Sequence, residues 1–262
     1  MFTTYKNLLI DEKLYHYLLL SFFLHDMVSG NNISPIHLQK NVNSINTIKT
    51  DNVYFFYFKE VQYIGPFVKN ISLEYVENDR YSKLLDHNYR YENFDTLNDE
   101  LKKREYKDLR IFVDTSQKTP LSKTDIDSTK ISYADRLAKI DSLNAGLKLS
   151  KEIPLIIRYY DGFPVTIYNM EEKERLIGFG NNIILELEGL DKNHQWKKIY
   201  GFRRYTCGTG IKFFVLKPKE IATVFEPRLS GNFKTKFRYR LGNILSNEFD
   251  GSINDKYFEN KD

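Results

Sequence analysis

Past Glu152 the chain breaks into short apolar runs separated by turn residues, a spacing that suits strands and is too short for helices. The runs cover residues 154–160, 164–169, 181–188, 195–200, 211–216, 220–225, 233–241 and 247–253. Between them stand Asp161-Gly162, Gly178 and Gly180, 189–193, Gly208 and Gly210, Pro218, 227–232 and Gly242-Asn243. Seven or eight strands of this kind in about a hundred residues predict an antiparallel β-sandwich.

The first half is more mixed. Residues 52–59 form a β-branched and aromatic run, and Gly65-Pro66 precedes a second expected strand over 67–76, where Ile71, Leu73 and Tyr75 alternate with Ser72 and Glu74. A short helix is expected over 79–85. A longer one is expected over 96–109, with Asp95 or Thr96 as cap, Asp99 and Glu100 in the first turn and Lys102, Lys103 and Arg104 later. Residues 110–114 then read as a strand, which makes 31–114 a small α+β domain. From 115 to 130 the composition turns to Ser, Thr, Asp and Lys with Pro120, the mark of a linker or surface loop. Ser132 to Asp135 caps a helix that Gly146 stops, so 115–152 is expected to be a polar linker and helix before a β-sandwich over 153–262.

At the N-terminus, Tyr17 to Leu24 is an uncharged apolar run followed by Val28-Ser29-Gly30, with Lys13 ahead of it. That order predicts a signal peptide over 1–30 and a periplasmic, envelope or extracellular address. Asp11, Glu12, His25 and Asp26 fit the alternative, an amphipathic first helix of a cytoplasmic protein. The run is too short to span a bilayer.

The string Leu216-Lys-Pro-Lys-Glu220, then Ser230-Gly-Asn-Phe-Lys-Thr-Lys-Phe-Arg-Tyr-Arg240, then Ser246-Asn-Glu-Phe-Asp-Gly-Ser-Ile253 resembles the closing strands of immunoglobulin-like or fibronectin-III-like domains. Similar tails occur in uncharacterised secreted bacterial proteins. The likeness covers about residues 153–258 and implies a scaffold for binding or spacing. It implies no activity. The Cys, Trp, Cys arrangement of antibody domains is absent, since Cys207 is the single cysteine.

Chemistry-bearing patterns are sparse. His16, His25, His37, His87 and His194 form no metal-ligand pair, and one cysteine excludes a multi-cysteine metal site. Asp86-His87 reads as a solvated pair, His194 as a turn residue, and Asp125 with Asp127 as part of a solvated linker. No Gly-x-Ser-x-Gly elbow or phosphate-binding glycine loop is present, and Cys207 has Arg203 and Arg204 nearby but no histidine base. No catalytic residue, metal or cofactor is assigned.

Charge adds one lead. The chain carries 39 Lys+Arg and 35 Asp+Glu, a net +4. Residues 197–240 hold twelve basic and two acidic side chains, so this stretch is +10 and the remainder −6. Within it, alternation places Lys234, Lys236, Arg238 and Arg240 on one face of a strand and Phe233, Thr235, Phe237 and Tyr239 on the other. Three functions remain open: a non-catalytic interaction or spacer module, an enzyme with its site in the first domain or between the two, and a polyanion binder. The last would use Lys234, Lys236, Arg238 and Arg240 with Arg203 and Arg204. A protein or anionic glycan suits that row better than nucleic acid.

Overall fold

The computed structural model describes residues 36–38, 48–49, 61–68, 70–73, 89–90, 103, 105–126, 155–179, 182–200 and 213–259. The signal-peptide segment, the expected strand over 52–59 and the helices over 79–85 and 132–146 lie outside these. So do Arg203, Arg204 and Cys207.

The first strands are β1 (Ile36–Leu38), β2 (Ile48–Lys49), β3 (Val61–Pro66), β4 (Ile71–Leu73), β5 (Tyr89–Arg90), β6 (Leu109–Val113) and β7 (Thr119–Ile126). Then follow β8 (Leu155–Asn169), β9 (Arg175–Phe179), β10 (Asn182–Ile183), β11 (Glu186–Leu190), β12 (Trp196–Tyr200) and β13 (Phe213–Leu216). The last are β14 (Glu220–Pro227), β15 (Leu229–Ser230), β16 (Phe233–Leu241), β17 (Ile244–Leu245) and β18 (Phe249–Ile253), before one 3-10 turn at Asp255–Phe258. The fold is mainly β. Its three larger sheets are antiparallel, and the two short pairs, β1 with β4 and β2 with β15, are parallel.

One sheet is built on β8, fifteen residues long. The second half of β8 pairs with β6 and with β14, its first half pairs with β7, and β3 adds to the far side of β14. The turn expected at Asp161-Gly162 is absent because the strand runs straight through it. Gly162 is needed there because a Cβ would come 2.6 Å from the Glu226 carbonyl oxygen and 2.8 Å from Leu121 Cδ1. Thr166 and Thr223 face each other across β8 and β14, their buried hydroxyls 2.9 Å apart. A second sheet has the order β12-β11-β16, with β17 and β18 sharing the far edge of β16. A third joins β10, β9, β13 and β5.

Side chains of all three sheets meet in one core, which includes Val165, Ile167, Leu176, Ile177, Phe213, Val224, Phe237 and Tyr239. Phe163 of β8 meets Phe249 of β18 edge-on, with centroids 5.3 Å apart. Two asparagines tie the earlier strands to the later ones. Asn243 accepts from the Tyr106 amide and donates to its carbonyl, both at 2.8 Å. Asn247 does the same for Val113 at 2.8 and 3.0 Å.

These pairings correct several expectations. Residues 119–126, read as polar linker, form β7, which pairs along its whole length with the first half of β8 and, among the described residues, with no other strand. β3 and β6, from the segment expected to be a separate α+β domain, lie in one sheet with β8 and β14, so pairing crosses the 115–152 boundary. The expected helix over 96–109 does not reach its end. Residues 105–108 are irregular and Leu109 opens β6, because Asn243 takes the Tyr106 backbone and Glu171 Oε1 accepts the amides of Lys107 and Asp108 at 2.8 and 3.3 Å. Of the second expected strand over 67–76, Phe67, Val68 and Asn70 are irregular and Ile71–Leu73 forms β4, while Gly65-Pro66 closes β3 instead of preceding a strand; 74–76 lie outside the described residues.

Candidate functional site

The alternation of β16 sorts its side chains as its sequence demands. Phe237, Tyr239 and Leu241 are buried, and Lys234, Lys236, Arg238 and Arg240 alternate with them toward solvent. On the inner side the Tyr239 ring stacks on Phe249 at 5.8 Å and 16°. The Tyr239 and Tyr200 hydroxyls donate to Glu226 Oε2 at 3.1 and 2.8 Å. Burial, and then the Glu226 charge, push both phenols well above their ordinary value, so they remain neutral donors. This contact pins β16 to β14 and fixes its outer face.

That outer face differs from a bare cationic row. β11 pairs with β16 so that Glu188 lies opposite Arg238 and Glu186 opposite Arg240. Arg238 Nε donates to Glu188 Oε2 at 2.7 Å, and Arg240 Nε donates to Oε1 at 2.5 Å. The Arg238 guanidinium also lies over the Trp196 ring, 4.0 Å from its centroid. Burial of Glu188 favours its neutral form, but hydrogen bonds and charge from Arg240 and Arg238 outweigh it and hold the carboxyl below the ordinary value. Lys198 Nζ donates to Glu186 at 2.7 Å, and Lys236 Nζ to the exposed Asp250 at 3.1 Å. Of the four row cations, Lys234 alone makes no ion pair among the described residues.

Other members of the basic stretch point elsewhere. Arg228 Nε donates to Asp161 at 3.1 Å and Nη2 to the Thr115 carbonyl at 3.0 Å, which holds the corner between β6 and β7. Glu188, Glu186, Asp250 and Trp196 are the parts of this face that sequence reasoning missed. The Glu186, Leu187, Glu188 alternation signals their side of β11, but which strand lies beside them is set by tertiary pairing.

Next to Lys234 the face opens into a groove of about 580 Å³ between the β11–β12 turn and the first half of β16. Lys192, His194, Lys234, Lys236 and Asp250 line it. Asp191, also at the wall, is buried, and its Oδ1 accepts the amides of Asn193 and Gln195, both at 2.8 Å. His194 is a turn residue with φ of 57°, its amide donating to the Asp191 carbonyl at 3.0 Å. Lys192 is exposed and, like Lys234, makes no ion pair among the described residues. Among the described residues the groove therefore offers two unneutralised ammonium groups, a third shared with a solvated carboxylate, and no nucleophile with an adjacent base.

Among the described residues no cluster of three His, Cys, Asp or Glu side chains stands ready for a metal, and no helix is long and apolar enough to cross a membrane. In comparison with family models, curated proteins and solved structures, nothing matches the chain.

Proposed function

We propose that this protein is a non-catalytic binding module that holds an anionic partner in the groove at Lys192, Lys234 and Lys236. One observation carries the reading: among the described residues Lys192 and Lys234 lie unpaired at one groove while Arg238 and Arg240, equally basic in sequence, are satisfied by Glu188. Unpaired ammonium groups can take up a ligand carboxylate, sulfate or phosphate without first giving up an internal partner. Binding thus centres on the lysine end of the row, and the arginine end serves as framework. The immunoglobulin-like reading of 153–258 belongs to the same proposal. It draws support from antiparallel strands of two sheets sharing a core, one of the sheets being completed by β3, β6 and β7.

The test is a titration of poly-L-glutamate and heparin into the wild type and a Lys192→Ser/Lys234→Ser variant. Both lysines are exposed, so folding is retained. Wild-type affinity should fall steeply between about 50 and 200 mM salt, as counterion release requires, and the variant should bind about tenfold more weakly at the lower value. Superimposable curves for the two proteins would remove the groove as the site.

A further inference from the structure

We propose that the ligand of the groove is an acidic oligosaccharide, a chain that brings carboxylates for the lysines and hydroxyls for the acceptors set among them. This rests on the groove being the binding site and names the class of molecule that occupies it.

The wall is not purely cationic. Lys192, Lys234 and Lys236 share it with Asp250, whose side chain is 87% exposed. β18 sets Asp250 opposite Lys236, and its Oδ1 accepts from Lys236 Nζ at 3.1 Å, which leaves Oδ2 with no donor among the described residues. A main-chain acceptor joins it. The pairing of β11 with β16 ends at Gly189 and Phe237, so Leu190 sits beside Lys236, and the Leu190 carbonyl accepts the Thr235 hydroxyl at 2.5 Å. The Tyr239 amide and carbonyl bond Ser246 on the β17–β18 side, and successive residues of a strand turn their main-chain groups to opposite edges. Thr235 and Phe233 therefore serve β18, and Lys234 alone keeps its amide and carbonyl toward the groove.

Hydrogen-bonding capacity selects among polyanions. An ionised carboxylate only accepts, and an ammonium only donates. A ligand bearing carboxylates alone satisfies the lysines, but it meets Asp250 as a like charge and the Lys234 carbonyl as one more acceptor. A sugar acid carries hydroxyls next to its carboxylate, and a hydroxyl donates as well as accepts. Its carboxylates take Lys192 and Lys234 while its hydroxyls donate to Asp250 Oδ2 and the Lys234 carbonyl. Leu190 and Phe233 add an apolar part of the wall for the C–H face of a ring, and about 580 Å³ lies within the range of clefts that hold small ligands. An acidic peptide is the competing occupant. Its main chain supplies N–H donors, but the single open residue Lys234 gives an extended strand one place to pair, where strand addition needs a run of them.

The experiment titrates two probes of equal charge into the full chain at about 50 mM salt. One is tetragalacturonate, with a carboxylate and hydroxyls on every ring, and the other is N-acetylated, C-amidated tetraglutamate, with the same number of carboxylates and no hydroxyl. The sugar should bind about tenfold or more tightly, the effect of a hydrogen bond or two to a charged acceptor. Asp250→Ala, at an exposed position where folding is retained, frees Lys236 for either probe and removes an acceptor that only the sugar uses. Affinity for tetraglutamate should therefore rise about two- to fivefold, and the preference for the sugar should shrink below about threefold. Because the probes carry the same charge, a general change of potential moves both together and leaves their ratio fixed. Equal affinities of the wild type for the two probes, or a ratio that Asp250→Ala leaves unchanged, would overturn the proposal while keeping an anion-binding groove. A preference for tetraglutamate would overturn it and assign the groove to an acidic peptide. Binding of heparin or poly-L-glutamate with neither tetramer would likewise overturn it. Failure of both tetramers together with poly-L-glutamate and heparin would remove the groove reading itself.

Discussion

Glu188 is the hinge between the framework and binding halves of the charged face, and Glu188→Gln tests both. The substitution keeps the shape and removes the charge that Arg238 and Arg240 share through contacts of 2.7, 2.5 and 3.3 Å. Charge centres about 4 Å apart interact by roughly 4 kcal/mol at an effective dielectric near 20. Exposed pairs keep only about 0.2–1 kcal/mol of this after screening, whereas removing one member of a buried pair costs about 3–5 kcal/mol. Side-chain exposures of 13% for Glu188, 16% for Arg238 and 31% for Arg240 place the trio between those limits. The Gln amide oxygen still accepts from one guanidinium, so the expected loss is about 1–2 kcal/mol, a fall in Tm of roughly 2–8 °C for a chain of this size. Urea unfolding at several pH values measures it. Because the folded carboxyl sits below its ordinary 4.5, its stabilisation is fully present above that value and lost as pH falls through the folded one. The gap between wild type and variant should therefore be full at neutral pH and narrow as pH falls below 4.5 and through the folded value. A gap under about 0.3 kcal/mol at neutral pH, or one that persists unchanged near pH 3, would refute the reasoning. The freed guanidiniums also raise the positive potential beside the groove, so the variant should bind poly-L-glutamate more tightly while being less stable, a pairing of effects that general unfolding does not produce.

Two further outcomes follow from the packing. Phe249→Ala, which removes a ring in contact with Phe163, Phe237 and Tyr239, should cost about 3–5 kcal/mol in denaturant unfolding; a loss below about 1 kcal/mol would mean that the two sheets do not depend on this contact. The fragment 153–262 lacks β3, β6 and β7 and the buried Val61, Tyr106, Leu109, Ile111, Val113 and Leu121. At about 1.5–3 kcal/mol for each buried apolar side chain it loses on the order of 10 kcal/mol, comparable with a whole domain's net stability. It should show no cooperative melt by circular dichroism, and a sharp two-state melt would mean the later strands form a complete core.

Where a strand's own residues carried the alternation, the sequence was legible. β16, with buried Phe237, Tyr239 and Leu241 between cations, stands where its pattern places it, and so do β12, β13, β14 and β6 to within a few residues. Failures came where the decisive information lay on another strand. β9 is buried at all five positions and contains Gly178, so neither alternation nor composition marked it. β7 reads as linker because its identity comes from eight pairings with β8. The turn expected at Gly162 was a misreading of the glycine's purpose, which is to admit the Glu226 carbonyl and the Leu121 side chain at close range. At 105–108 helix propensity lost to Asn243 and Glu171, residues 63 or more positions away along the chain that satisfy the same backbone groups.

The charged face shows the same limit in electrostatic form. A window along the chain counts cations that are sequence neighbours, whereas a sheet makes neighbours of residues on adjacent strands. Glu186 and Glu188 lie just before the +10 stretch and Asp250 just after it, yet pairing sets all three among its cations. Five cations, Lys198, Lys234, Lys236, Arg238 and Arg240, thus share the face with three carboxylates. What remains for a ligand is the local remainder after pairing. That remainder sits at the β11–β12 turn, beyond the last pair of β11 with β16, where Lys192 and Lys234 have no carboxylate partner among the described residues.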